Sequence, residues 1–199
     1  EISACLVGSE MCIRDRIICV HGWAVKIFFH CGFFPFMLHW LYRTIYGKSV
    51  VFMKILVSAC LLGVACKYSG GDNVCPALLS AVQHSGHTFI PICPEVYGGL
   101  PTPRPPAERT GDCVLTETGT DVTAQYQRGA EAALQLARLT GCEAAILKAN
   151  SPSCGCGTIY DGTFRHRKIA GDGVTAELLQ AHGICVYNED NFSELLRYV

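Results

Sequence analysis

Three short apolar runs in this chain each lead to a cysteine, and that repetition constrains the fold more than any other feature. Val57-Ser58-Ala59-Cys60 closes the first and Ile90-Pro91-Ile92-Cys93-Pro94-Glu95 the second. The third, Ala144-Ala145-Ile146-Leu147, runs into Lys148-Ala149-Asn150-Ser151-Pro152-Ser153-Cys154-Gly155-Cys156-Gly157. Short apolar runs bounded by turn residues read as buried strands, so strands are expected over Lys54–Ala59, His87–Ile92 and Glu143–Leu147, with a fourth over Ile184–Tyr187. Helical spacing falls between them, over Pro76–His84, from Asp121-Val122-Thr123 to Gly141, over Gly173–His182 and over Asn191–Tyr198. Pro76 suits a first helical turn, and Gly86, Gly141 and Gly183 suit stops. Asp121 or Thr123 can cap the long helix, and its Gly129 and alanines suggest close packing on a sheet. Strands alternating with helices argue for an α/β fold: a single three-layer, Rossmann-like domain with a mostly parallel sheet covered on both faces.

The loops carry their own signals. Gly98-Gly99-Leu100-Pro101-Thr102-Pro103-Arg104-Pro105-Pro106 cannot be regular helix or central strand, because its prolines lack donors and fix φ. It reads as an extended ordered loop. Arg104 and Glu108 stand out there as isolated charges. An arginine held by stiff prolines can bind an anionic or carbonyl group, or form a surface salt bridge. Asp112–Thr118 reads as a short strand or hairpin, and Tyr160-Asp161-Gly162-Thr163-Phe164 as a turn between short extended pieces.

In parallel sheets, ligands bind beyond the carboxyl ends of strands, which places Cys60, Cys93 and Cys154 around one crevice. Three thiolates are one ligand short of a closed tetrahedral site. A zinc ion closed by a fourth Cys or His makes the chain a zinc-stabilised α/β binding module without catalysis. A [4Fe–4S] cluster on three cysteines instead leaves one iron open as a Lewis acid. Cys66 and Cys156 are the candidate fourth ligands, although Cys156 lies tight against Cys154 for one centre. A thiol–disulfide protein using Cys154 and Cys156 lacks the Cys-x-x-Cys spacing. The chain has 13 cysteines and no convincing secretory signal, so metal or redox work outranks a disulfide framework, and most of these thiols read as small buried hydrophobes. A net charge of −1 and the absence of any Lys/Arg run argue against nucleic acid as a main partner.

Residues 1–52 differ in character. Glu1–Arg16 resembles the translation of sequencing-adapter DNA, and the stretch to Phe52 reads as translated upstream sequence. Residues 1–52 are therefore expected to be a spurious N-terminal extension outside the fold, with Met53 as the start of a domain over 53–199. The apolar run Ile17–Tyr42 is interrupted by Lys26, three histidines and Pro35, which argues against a membrane span. Tyr46-Gly47-Lys48-Ser49 lacks the earlier glycine of a P-loop.

Several motifs recur in order after Met53: Ser58-Ala59-Cys60-Leu61-Leu62-Gly63, Cys66-Lys67-Tyr68-Ser69-Gly70, Cys93-Pro94-Glu95, Gly99-Leu100-Pro101-Thr102-Pro103-Arg104, Asp121-Val122-Thr123, Leu147 through Gly155, and Tyr160 through Phe164. Through them residues 53–199 resemble, over nearly their full length, the DUF-type family of thiouracil desulfidases. The resemblance implies an oxygen-sensitive [4Fe–4S] cluster on Cys60, Cys93 and Cys154. It implies non-redox desulfuration of a thiolated pyrimidine, thiouracil giving uracil and hydrosulfide. Glu95 is then the acid/base or binds the ring N–H, and Ser151 hydrogen-bonds substrate or water. Arg104 and Ser153 are expected to contact the substrate. The expected partner is a small-molecule thionucleobase, with no membrane, a cytoplasmic location, and a monomer or weak homo-oligomer. Cys156 is an additional thiol that the resemblance leaves without a role.

Overall fold

The computed structural model describes residues 17–20, 23–26 and 52–197. The chain divides into two units, Glu1–Ser49 and Val50–Val199. In the first, Ile17–Val20 (β1) and Trp23–Lys26 (β2) pair as an antiparallel ribbon, in a stretch whose sequence shows no stable period. Almost all the rest of the segment read as an extension, including most of the run to Tyr42 and Tyr46–Ser49, lies outside the described residues. No described helix is long and apolar enough to cross a membrane.

The strands of the second unit are Lys54–Ser58 (β3), Thr88–Ile92 (β4), Ala107–Thr110 (β5), Cys113–Thr116 (β6), Ala144–Leu147 (β7), Thr158–Tyr160 (β8), Lys168–Ala170 (β9) and Cys185–Asn188 (β10). Its described helices are Pro76–His84 (α1), Pro94–Tyr97 (α2), Thr123–Thr140 (α3), Val174–Ala181 (α4) and Phe192–Arg197 (α5). A four-stranded parallel sheet runs in the order β10-β7-β3-β4. All four strands match those expected from the apolar runs. Two antiparallel hairpins, β5–β6 and β8–β9, lie outside it. The first hairpin starts earlier than the Asp112–Thr118 pattern suggests, because Glu108 and Arg109 interrupt the apolar pattern of its first strand.

The sheet sits between two helical layers, as three-layer architecture requires. Successive residues of a strand face opposite sides, and Ile55, Leu56 and Val57 are all fully buried. Leu56, Ala145 and Leu147 pack with Ala133 and Ala137 of α3 and Ala176 and Leu179 of α4. Ile55, Val57 and Ile146 pack with Leu78 of α1 and Phe192 and Leu195 of α5. Burial on both faces is why these strands read as continuous apolar runs and not as alternating ones. Pro91 is tolerated because β4 is an edge strand.

Two local expectations change. The residue before α3 is Val122, and no side chain caps that helix. Asp121 instead accepts hydrogen bonds from the N–H and hydroxyl of Thr123, at 2.9 and 2.6 Å. Gly129 does not face the sheet. A Cβ there would stand 2.1 Å from the Pro94 carbonyl oxygen, and one at Gly98 would stand 2.0 Å from the Gln125 oxygen. These two glycines let the backbone of α2 rest directly on α3.

Gly129→Ala therefore forces two backbones apart and is expected to destabilise the fold by about 1–3 kcal/mol, read as a lower urea midpoint. Gln135→Ala, one face round on α3, serves as the control and is expected to leave the midpoint unchanged.

Candidate active site

Strand order reverses at β3: the chain goes to β4 on one side and later to β7 and β10 on the other. The crevice beyond the carboxyl ends at such a reversal is the usual ligand site of an open α/β sheet. Here it is a cavity of about 540 Å³ whose walls include Cys60, Cys66, Cys93, Glu95, Ser151 and Cys154. Cys60 lies in the 3₁₀ turn Ala59–Leu62 that follows β3 directly. Cys93 is the residue before α2, one past the end of β4. Cys154 comes from the loop after β7.

Ser58, the last residue of β3, links these ends. Its hydroxyl donates to Cys154 Sγ at 3.4 Å and accepts from the Lys148 N–H at 3.0 Å. Burial pushes the Cys154 thiol well above its ordinary pKa, against the opposing Ser58 hydrogen bond, with Glu95, Cys60 and Cys93 adding to the rise. Burial also raises Cys60, opposed by a hydrogen bond from the Asn73 side chain and reinforced by Cys93. Cys66 is pushed up to about 12 by burial and by the neighbouring Cys93. These thiols hold their protons at neutral pH, so any metal centre they bind displaces protons.

Glu95 stands on the first turn of α2 and is the hub of the polar wall. Arg104 donates to its Oε2 from Nε at 2.8 Å, and Nη2 stands 2.7 Å from the same oxygen in the ion pair. Ser151 donates to Oε1 at 3.4 Å. The hydroxyl of the buried Tyr126 of α3 also hydrogen-bonds Glu95, and burial together with that carboxylate drives the phenol pKa upward. Arg104 also donates through Nη1 to the Pro101 carbonyl and the Thr102 hydroxyl, both at 3.1 Å, and through Nη2 to the Cys66 carbonyl at 3.1 Å. Its side chain is 5% exposed. All three guanidinium nitrogens are thus engaged within the protein. Of the two readings open for Arg104, the ion pair is the one formed, and it is buried.

The flanking serines divide. Ser151 accepts from the N–H groups of Ser153 and Cys154, at 3.1 and 3.2 Å, while reaching Glu95, so it both shapes the loop and faces the cavity. The expectation for Ser153 is corrected: it is fully buried and shares a hydrogen bond of 2.9 Å with Thr175 of α4, outside the cavity lining. Cys156 also turns away, its sulfur meeting the Val186 carbonyl and the Gln180 amide. Cys66 stays in the wall. Gly155 is tight for a physical reason: a Cβ would stand 2.7 Å from the Ser151 oxygen, so only glycine lets the loop fold back behind Cys154. Residues that sequence reasoning missed are Ser58, Asn73, Tyr126 and the Lys148–Glu189 ion pair, in which Glu189 also accepts from the Ala149 N–H at 2.7 Å. Ser58 and Lys148 lay inside the quoted motifs, but nothing in the sequence distinguished them from strand and loop positions.

Among the described residues no group of three or more His, Cys, Asp or Glu could hold a single metal ion. A lone zinc draws every thiolate to about 2.3 Å from one point. A cubane cluster meets each thiolate at a different iron and tolerates wider spacing. Three thiols from three adjacent strand ends line one cavity, the three thiolates that a cluster with one open iron requires.

A protein-family model described as 2-thiouracil desulfurase matches residues 55–191. The chain is 43% identical over 152 residues, 71% of its length and 99% of the relative's, to the uncharacterized protein YbbK of Bacillus subtilis (strain 168). It is 51% identical to a solved structure described as the [4Fe-4S]-dependent thiouracil desulfidase TudS (DUF523Vcz), with a TM-score of 0.68, covering 72% of this chain and 95% of that one.

The Arg104–Glu95 pair is expected to hold in solution. A double-mutant cycle of Arg104→Lys and Glu95→Gln, read by urea unfolding, should give a coupling energy of about 0.5–3 kcal/mol; a coupling of zero would mean that the two side chains act independently.

Proposed function

The chain belongs to the 2-thiouracil desulfurase family, and from that premise we propose that it is a [4Fe–4S]-dependent enzyme that hydrolyses thiouracil to uracil and hydrosulfide. The observation that carries this reading is a single cavity in which three strand-end thiols and one anchored carboxylate face the same space. Cys60, Cys93 and Cys154 hold the cluster. Held by three thiolates, the cluster supplies an open iron, a Lewis acid for the thiocarbonyl sulfur.

The protein supplies proton handling and orientation. Exchange of sulfur for the oxygen of water balances without electron transfer: one C–S bond breaks, one C–O bond forms, and the protons of water must be moved. Glu95 takes the proton from the attacking water, as a carboxylate within hydrogen-bond reach does. Ser151 keeps its hydroxyl between Glu95 and the loop N–H groups and orients the water or the ring. Arg104 and Tyr126 fix the carboxylate and do not themselves touch substrate. The Arg104 guanidinium holds the Glu95 carboxylate in place at the cavity wall, and its bond to the Cys66 carbonyl ties that segment to the same anchor.

The functional unit is residues 53–199, a boundary supported by a family match that begins at residue 55. The substrate is a free thionucleobase, supported by the cavity's modest volume and by the net charge of −1. A cytoplasmic location is supported by the use of cysteines as cluster ligands in place of a disulfide framework, and the protein works as a monomer or weak homo-oligomer.

Protein purified without oxygen is expected to be brown, with about four iron and four sulfide per chain, and to release sulfide from 2-thiouracil. Colourless protein with about one zinc per chain would refute the assignment. Serine at Cys60, Cys93 or Cys154 should abolish the iron–sulfur absorption. Glu95→Gln should keep that absorption and lower kcat by about 10²–10⁴-fold; full activity in this variant would remove Glu95 from the chemistry.

A further inference from the structure

One wall of the cavity is used by none of these steps. It comes from the β8–β9 hairpin and carries Tyr160, Phe164 and His166. Phe164 and His166 have φ of 57 and 58°, the left-handed region that side chains rarely occupy, and aromatic residues hold it only where surrounding structure imposes it. The imposing group is Glu108 of β5. Its side chain is buried, and its Oε2 accepts from the N–H groups of Gly162 and Phe164 at 2.9 and 3.0 Å. A buried carboxylate receiving two backbone N–H bonds is a strong anchor. Asp161 tightens the same turn by accepting from the N–H and hydroxyl of Thr163, at 3.0 and 2.6 Å. The Tyr160 ring meets the His166 ring edge-on, at 6.3 Å between centroids.

An ordinary hairpin turn needs no buried carboxylate and no left-handed phenylalanine. This one places a flat apolar ring in the wall of the same cavity that holds the three thiols, Glu95 and Ser151. We propose that Phe164 is the face on which the heteroaromatic ring of the substrate stacks, and that Glu108 is the positioning residue that sets it there. The proposal rests on the desulfidase reading and adds to it the element that selects an aromatic thiocarbonyl compound. Thiols, Glu95 and Ser151 recognise the reacting C–S bond, which any thioamide carries. A stacking face recognises the ring.

The test is steady-state kinetics of the anaerobic holoenzyme with 2-thiouracil, alongside cluster absorbance and urea midpoint. Phe164→Leu is expected to raise KM about tenfold, the lower part of the range for loss of one base–aromatic stack, with kcat within about twofold and cluster absorbance unchanged. Phe164→Tyr keeps a ring and should restore KM. Glu108→Ala frees the Gly162 and Phe164 N–H groups and should raise KM in the same way, whereas Glu108→Gln, which still offers an acceptor oxygen, should stay near wild type. Unchanged KM in Phe164→Leu, or a loss confined to kcat, overturns the proposal alone. Wild-type holoenzyme with no thiouracil turnover overturns the desulfidase reading and the proposal with it.

Discussion

The parallel pairing of β3 with β4 on one side and β7 on the other is the constraint on which the site depends. Registers Ser58 to Ile92 and Val57 to Ile146 bring the carboxyl ends of three strands level. Each strand then releases its cysteine into the same space: directly through a 3₁₀ turn, directly at a helix start, and after a loop. The hydroxyl of Ser58 closes the gap between β3 and the loop after β7. Helical layers on both faces bury the strands and keep those ends from drifting. The site is thus a consequence of sheet topology before it is a set of side chains.

A second layer of organisation radiates from Arg104. One guanidinium joins the carboxylate of α2, the carbonyl of Cys66 and the Pro-rich segment around Pro101. The same α2 rests on α3 through Gly98 and Gly129, and α3 presents Tyr126 to Glu95. Glu95 is therefore held from three elements. A carboxylate so fixed has little freedom to reorganise as a proton moves, which is the condition for efficient electrostatic and acid–base work.

The strands were legible because apolar runs bounded by glycine, proline and polar turns have few other uses, and the cysteines were legible because each stood just past a run. Glu95 followed from its place beside Cys93. What stayed hidden depended on contacts distant in sequence. Ser151 and Ser153 flank the same proline, and only Thr175, from a helix more than 20 residues on, draws one of them into the core. Arg104 looked available for an anion because its acceptors, the Cys66 and Pro101 carbonyls, are backbone atoms that carry no sequence signature. The crowding at Gly129 was visible as a need for close packing, but the surface it meets is α2 and not the sheet. Glu108 stood out as an isolated charge, and its role as the anchor of a distant hairpin is a tertiary fact.

The central claim is that three strand-end thiolates hold a four-iron cluster with one iron left for the substrate. Mössbauer spectroscopy of iron-labelled anaerobic protein, titrated with 2-thiouracil, tests it most directly. The account predicts that one iron in about four changes its signal on binding while the others keep a thiolate-ligated signature. A spectrum in which every iron is already thiolate-ligated, and none responds to thiouracil, would contradict it.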